Sequence, residues 1–343
     1  MGSRSAVGLA DVAAKAGVSK ATASKAFSGR EEVAPKTRER VLAVAAELGY
    51  LPPVRTPPEF GPQVWVALTS LVNPYFGLLL EGLLAEAQPL GASVVTCTWS
   101  PSADYPPPAP ASPGWIRQGL ERGAQAFILV TTPVTTGHLR VARAAGAPLM
   151  VIDPLSAAPT GVLSISATNW RGGVQATEYL IGLGHQCIAF VGAPPESNPG
   201  IERQAGYRSA LERAGLRYDP RLVLPGRYGF EDGLMMRPLL ESEGRPTAVF
   251  AANDLVACGV LEAARQVGVV VPEQLSIVGF DDTLLASVAA PPLTTVRQPL
   301  MEMGSLAVRT CVAALRGTPT LAPHVQLATT LVVRSSTAPA PRA

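Results

Sequence analysis

The sequence predicts an α/β protein in which a small all-helical head precedes a two-lobed body of doubly wound parallel sheets. Three observations lead there. Residues 9–48 read as short helices without a strand pattern, apolar runs of about five residues alternate with helical segments from Val64 onward, and the alternation pauses and resumes after residue 170. Strands buried on both faces read as continuous apolar runs, and the helices between them supply the cover. A chain of 343 residues has room for two or three domains, and 47 % apolar residues give each one a core.

In the head, "LADVAAKAG" forms an Ala-rich helix that breaks at Gly17, and Ser19 N-caps a second helix. Val12, Ala13, Val18 and Ala23 pack across the short turn, which is helix-turn-helix spacing. A third helix opens at Pro35 and carries Val41, Leu42, Ala45 and Leu48 as one apolar stripe. The second helix then shows Ser19, Lys20, Ala21, Thr22, Ser24 and Lys25 to solvent. Hydroxyls of that size suit phosphate oxygens in a major groove, and the lysines suit phosphates or guanine edges. Spacing alone also allows a solvated three-helix cap. Charge favours the groove: residues 1–55 hold nine Lys/Arg against five Asp/Glu, so the head is +4 and the rest of the +2 chain is −2.

Residues 9–52, with "ADVAAKAGVSKATASKAFSG" and "TRERVLAVAAELGYLP", resemble the DNA-binding headpiece of the LacI/GalR family of bacterial transcription regulators. The resemblance implies that the second helix is the recognition helix, with Lys20, Ala21 and Lys25 at base-reading positions. Lys25 stands where the family usually has Arg and Ser28 where it has Asn, so a bidentate fork to guanine is missing. Relatives follow this headpiece with a hinge helix whose leucine wedges open the minor groove. Here Pro57 and Pro58 fall inside that span, and no leucine stands between Leu51 and Gly61. An interior proline costs a helix about 3 kcal/mol, so the usual hinge is not expected. Thr56-Pro57-Pro58-Glu59 has capping-box form, so one helical turn presenting Phe60 as the wedge competes with a plain extended tether.

In the body, "VWVALTS", "SVVTCTW", "AFILV", "PLMVID" and "GVLSIS" are the strands of a first lobe, and "CIAFVGA", "TAVFAAND" and "LSIVGFDD" those of a second. Ligands of such sheets sit beyond the carboxyl ends of the strands. Those ends carry Thr69, Ser70, Asn73, Asp153, Asn253, Asp254, Asp281 and Asp282, interleaved with the rings of Phe76, Trp99 and Phe230. Acceptors among rings suit a polyhydroxylated, ring-shaped ligand, although any single Asp or Asn there also suits a loop cap.

"NPYF", "RQAGYRSAL", "AANDLVACGVLEA", "LSIVGFDD" and "PPLTTVRQP" resemble the periplasmic-binding-protein-like effector domain of the same family. By that resemblance Arg203 and Asp254 grip ligand polar groups from the second lobe, and Asp153 and Asn73 do so from the first. "ATNWRGG" and "TTVRQPLMEMG" look like actinobacterial repressors of xyloside or oligosaccharide use, which places Asn169 and Trp170 near the cleft and makes the effector a sugar such as xylose or a short oligosaccharide. The implied organisation is a DNA-binding domain over 1–51, a proline-rich linker over 52–63 and an effector and dimerisation domain over 64–343. Its first lobe covers about 64–165 and 295–322, its second about 166–294 and 323–336, with "PPL" at 291 as a crossing. The implied partners are a near-palindromic duplex operator, a sugar and a second copy of the chain.

"SPSADYPPPAPASPG" (100–114) has six prolines where relatives run a helix, so a full helix is not expected there. The tail "SSTAPAPRA" lacks the heptads of a tetramerising helix. Cys97, Cys187, Cys258 and Cys311 stand apart in apolar surroundings and read as buried reduced thiols, while His138, His185 and His324 are isolated and read as surface or capping residues. No GxSxG, GxGxxG or P-loop appears, so neither an enzyme nor a cofactor is expected. A transport receptor sharing the body requires a signal peptide and no head. No apolar leader or run of eighteen apolar residues is seen, which points to the cytoplasm and away from membranes.

Overall fold

A computed structural model describes residues 9–27, 33–48, 61–98, 110, 112–318 and 322–341. The expected linker turn at 56–60, with Phe60, and Trp99 lie outside the described residues.

The head is a compact unit of α1 (Leu9–Lys15), α2 (Lys20–Phe27) and α3 (Pro35–Leu48). Val12, Ala13, Ala16, Ala23, Ala26, Val41 and Ala45 form its core, against which Val18, Val44 and Leu48 are partly buried. Leu42, expected in the stripe, is 44 % exposed; Val44 takes its place, because the face that α3 turns inward runs 41, 44, 45, 48. With so many alanines the helices approach closely, and the core is small. Arg38 Nε donates to the Ala26 carbonyl at 3.0 Å, tying α3 to the last turn of α2.

The body begins with β1 (Gln63–Leu68), α4 (Pro74–Ala87), β2 (Ser93–Thr98), α5 (Pro113–Glu121), β3 (Ala126–Val130), α6 (Thr136–Ala144), β4 (Leu149–Ile152) and β5 (Leu163–Ala167). It continues with α7 (Asn169–Gly182), β6 (Ile188–Ala193), α8 (Asn198–Arg213), β7 (Val223–Pro225), α9 (Phe230–Leu234), α10 (Arg237–Glu241), β8 (Ala248–Ala251), α11 (Asp254–Val267) and β9 (Ser276–Asp281). Then come α12 (Leu284–Val288), β10 (Thr294–Arg297), α13 (Leu300–Leu315), β11 (His324–Leu327) and β12 (Thr330–Val332). One sheet has the order β11-β5-β4-β3-β1-β2 and is parallel throughout; the other has the order β12-β10-β9-β8-β6-β7, with β12 alone antiparallel.

Each sheet is buried on both faces, which is why its central strands read as unbroken apolar runs. In the second lobe Ala189, Val191, Val249 and Ile277 face one helical layer, while Ile188, Phe190, Phe250 and Val278 face the other. In the first, Val64, Val66, Ile128 and Met150 pack with α4 and α13. Trp115 of α5 packs against Trp65 and Phe127, with ring centroids 5.8 and 5.5 Å apart. A helix therefore does form after β2, but it starts only at Pro113.

The crossings between lobes fall later than the sequence suggested. Strand β10 belongs to the second sheet, where buried Thr294, Thr295 and Val296 lie between β9 and β12; the return to the first lobe comes at Gln298-Pro299, and "PPL" precedes a second-lobe strand. Strand β11 pairs with β5 in the first sheet, so residues 324–327 belong to the first lobe and the last crossing is at 328–329. There the Thr329 N–H donates to Thr168 Oγ1 at 3.0 Å, joining it to the crossing that enters α7.

Of the four cysteines only Cys311 is fully buried. His138 closes a capping box with Thr135 at the start of α6, and buried His185 contacts Thr247, Ser276 and the Ala338 carbonyl, so it braces the C-terminal segment instead of lying on the surface. Among the described residues no helix is long and apolar enough to cross a membrane.

Candidate functional site

On the head, Ser19 Oγ accepts the Thr22 N–H at 3.0 Å and lies 2.8 Å from Thr22 Oγ1, which caps α2. Buried Ala23 and Ala26 turn one side of α2 to the core. Ser19, Lys20, Ala21 and Lys25 are exposed, and Thr22 and Ser24 are half-buried at the margin. The structure thus sets all six expected residues away from the side of this short, capped helix that Ala23 and Ala26 turn to the core.

In the body, a cavity of about 450 Å³ lies between the lobes at the carboxyl ends of the strands. Thr69, Ser70, Asn73, Phe76, Thr131 and Asp153 line it from the first lobe; Ser197, Arg203, Tyr228, Asn253 and Asp281 line it from the second. Five non-glycine residues among those described have positive φ, and four of them line this cavity: Thr131 (45°), Asp153 (45°), Tyr228 (64°) and Asp281 (102°). Left-handed backbone is costly for such side chains and is held only where surroundings dictate it, as at a binding site.

Arg203 stands at the centre and is 4 % exposed. It reaches this place because α7 and α8 cross with almost no gap: a methyl on Gly173 would lie 2.3 Å from the Arg203 carbonyl oxygen, and one on Gly206 2.2 Å from that of Trp170. Arg203 Nε donates to Asn169 Oδ1 at 2.9 Å and Nη1 to the Ala252 carbonyl at 2.6 Å. The guanidinium lies over the Phe280 ring, 3.8 Å from its centroid, and Nη2 is 3.9 Å from Asp281 Oδ1. The plane of the fork is therefore fixed from three sides.

Opposite, Asp153 is 2 % exposed; its Oδ2 accepts the Tyr75 hydroxyl, while Oδ1 is buried without a hydrogen-bond partner. Burial pushes the Asp153 carboxyl above its ordinary range, against the Tyr75 hydroxyl and the Arg203 charge that favour ionisation. Burial likewise raises Asp281, whose Oδ1 accepts from Gln298 Nε2 at 2.7 Å, and lifts Tyr75 and Tyr228.

Some expected residues stand elsewhere. Asp254 is 1 % exposed and does not line the cavity: Oδ2 accepts from the Thr283 N–H at 2.7 Å and hydroxyl at 3.0 Å, and Oδ1 from the Thr295 hydroxyl at 2.6 Å. Its acceptors are occupied inside the protein. Asp282 turns away to Arg297 Nε and Arg334 Nη2, both at 2.6 Å, and knots β9 to β10 and the C-terminal segment. Asn169 sits behind Arg203 as its acceptor. Trp170, 46 % exposed, lines a separate crevice of about 230 Å³ with Glu202 and Gln326, and Phe230 opens α9 outside the cavity lining. Asn73 and Asn253 do line the cavity, while their Oδ1 atoms cap α4 and α11. Sequence reasoning passed over Tyr75, Thr131, Ser197 and Tyr228; for Tyr228 the flanking "GRYGF" glycines were the available signal of unusual backbone.

Residues 8–53 match the family described as bacterial regulatory proteins, lacI family, and residues 177–337 match the periplasmic binding protein-like domain. The chain is 34 % identical to the HTH-type transcriptional regulator DegA of Bacillus subtilis, over 96 % of this chain and 97 % of that one. A structure of the transcriptional regulator CelR in complex with cellobiose superposes with a TM-score of 0.71 at 32 % identity, covering 96 % of this chain and 99 % of that one. A structure of the lac repressor dimer bound to operator and the anti-inducer ONPF gives 0.70 at 28 % identity, covering 97 % and 100 %.

Proposed function

The chain belongs to the lacI family of bacterial regulatory proteins and is a DNA-binding transcriptional regulator, and from this premise we propose that it is a homodimeric repressor of carbohydrate-utilisation genes acting in the cytoplasm. Two heads take the half-sites of a near-palindromic operator, with Lys20, Ala21 and Lys25 toward the base edges and Ser19, Thr22 and Ser24 toward phosphates. A neutral sugar, xylose or a short oligosaccharide, occupies the cavity between the lobes and changes operator affinity.

The observation that carries the sugar reading is the buried carboxyl of Asp153 lining a cavity whose other wall holds buried Arg203 and Asp281. Buried acceptors need donors, and ligand hydroxyls supply them where Asp153 and Asp281 line the cavity. The fork of Arg203 left over from Asn169 and Ala252 donates to ring or hydroxyl oxygens, and Asp281 accepts from another hydroxyl. Ser70, Asn73, Phe76 and Asn253 shape the remaining wall; Asn169, Asp254 and Asp282 hold the frame behind it. A volume of about 450 Å³ has room for more than one sugar ring. The CelR complex, whose ligand is cellobiose, supports this reading.

Titration calorimetry with xylose, xylobiose and cellobiose tests it. At least one should bind the wild type, and Asp153→Asn, which exchanges one acceptor for a donor, should weaken that sugar by about tenfold or more. Unchanged affinity in Asp153→Asn, or no binding by the wild type, contradicts the assignment.

A further inference from the structure

The loop between β7 and α9, Gly226-Arg227-Tyr228-Gly229, brings Arg227, Tyr228 and Gly229 to the cavity. Tyr228 holds φ at 64°, and the chain on either side is fastened at every N–H. The Gly226 N–H donates to the Ala193 carbonyl at 3.0 Å and the Tyr228 N–H to the Gly192 carbonyl at 2.9 Å. The two N–H groups flanking Tyr228 go to a single atom: Asp232 Oδ2 accepts from Arg227 at 2.6 Å and from Gly229 at 2.8 Å. Asn253 Nδ2 holds the Tyr228 carbonyl at 3.1 Å, and Ser197 Oγ lies 3.0 Å from the Tyr228 hydroxyl.

Asp232 itself does not line the cavity. We propose that Asp232 is the positioning residue for effector recognition: its carboxylate locks the strained loop so that Tyr228 and Arg227 meet the sugar in one fixed arrangement. The proposal rests on the sugar reading of the cavity given above.

The Gly229 bond is an ordinary capping-box contact, since Asp232 is the third residue of α9. The Arg227 bond is not, because Arg227 lies two residues before the cap. Helix α9 also has anchors of its own, with Gly233 buried and Leu234 packed against the second-lobe core, so loss of the carboxylate frees the loop while α9 stays seated. The fit around the carboxylate is close on its other side too. A methyl on Gly226 would lie 2.5 Å from Asp232 Cγ and 2.6 Å from Gly192 Cα.

The test compares Asp232→Ala, Asp232→Asn, Tyr228→Ala and the double variant Asp232→Ala/Tyr228→Ala, each titrated with xylose, xylobiose and cellobiose and each melted without sugar. Asp232→Ala should lose about tenfold or more in affinity. Asp232→Asn, whose amide oxygen still accepts both N–H groups, should stay within about threefold of the wild type. The double variant should lose clearly less than the two single losses combined, since both changes act in part through the same ring. Should Asp232→Ala not fold, the comparison of Asp232→Asn with Gly226→Ala replaces it, with the loss expected in Gly226→Ala alone. Wild-type affinity in Asp232→Ala, or fully additive losses in the double variant, overturns the proposal and leaves the sugar site standing. A wild type that binds none of the three sugars removes both.

Discussion

Asp254 and Asp281 stand at the ends of neighbouring strands, and in the amino-acid chain nothing tells the cavity-lining carboxyl from the bracing one. The difference lies in who donates to them. Asp254 collects three donors from Thr283 and Thr295, residues remote in sequence, whereas Asp281 meets Gln298 and Arg203 and keeps a face on the cavity. Burial, and then the charge of Asp281, raises the Asp254 carboxyl well above its ordinary range. A carboxyl whose folded pKa is raised has no penalty below its unfolded value of about 4, and costs stability as pH rises from there toward the folded value. Asp254→Asn removes that cost, since its amide can accept from the Thr283 N–H and donate to Thr295. The stability of Asp254→Asn relative to the wild type should therefore improve on going from pH 5 to pH 8, on the order of 1 kcal/mol or more, in urea unfolding without sugar. A difference that is flat or reversed with pH contradicts the buried-proton account.

At the scale of elements, the alternation of apolar runs and helices was legible because the central strands are buried on both faces, and so was the head, because Ser19, Gly17 and Pro35 punctuate its helices. The ends of the lobes were not legible. "PPLTTVRQP" reads as a break because of its prolines, yet Thr294–Arg297 is a buried strand whose partners are β9 and β12. Pairing across such sequence distance leaves no local mark. The crossing of α7 and α8 was visible only as "NWRGG", with no hint that Gly173 is what lets Arg203 in. Gly173→Ala places a methyl 2.3 Å from the Arg203 carbonyl and must push α8 away. Destabilisation of about 1–3 kcal/mol in urea unfolding, with a loss of sugar affinity, is the expected result; wild-type stability and affinity would show that the crossing has slack.

For the whole molecule, the head and the body are separate compact units, so under the proposed function a sugar acts on DNA binding by preferring one arrangement of the lobes over another. Couplings of this kind run at about 1–3 kcal/mol, or about 5- to 150-fold in affinity. The body supplies the means, since three crossings join its lobes around one cavity and two of them are tied through Thr168 and Thr329. The head supplies the grip, a basic tip whose affinity for duplex DNA must fall with salt. Fluorescence anisotropy with duplexes that flank the protein's own gene, across a salt series and with and without a sugar shown to bind by calorimetry, measures both together. Salt-sensitive binding to one near-palindromic duplex, shifted about 5- to 150-fold by saturating sugar, is the expected result. Binding to no duplex at any salt, or an affinity that saturating sugar leaves unchanged, would contradict it.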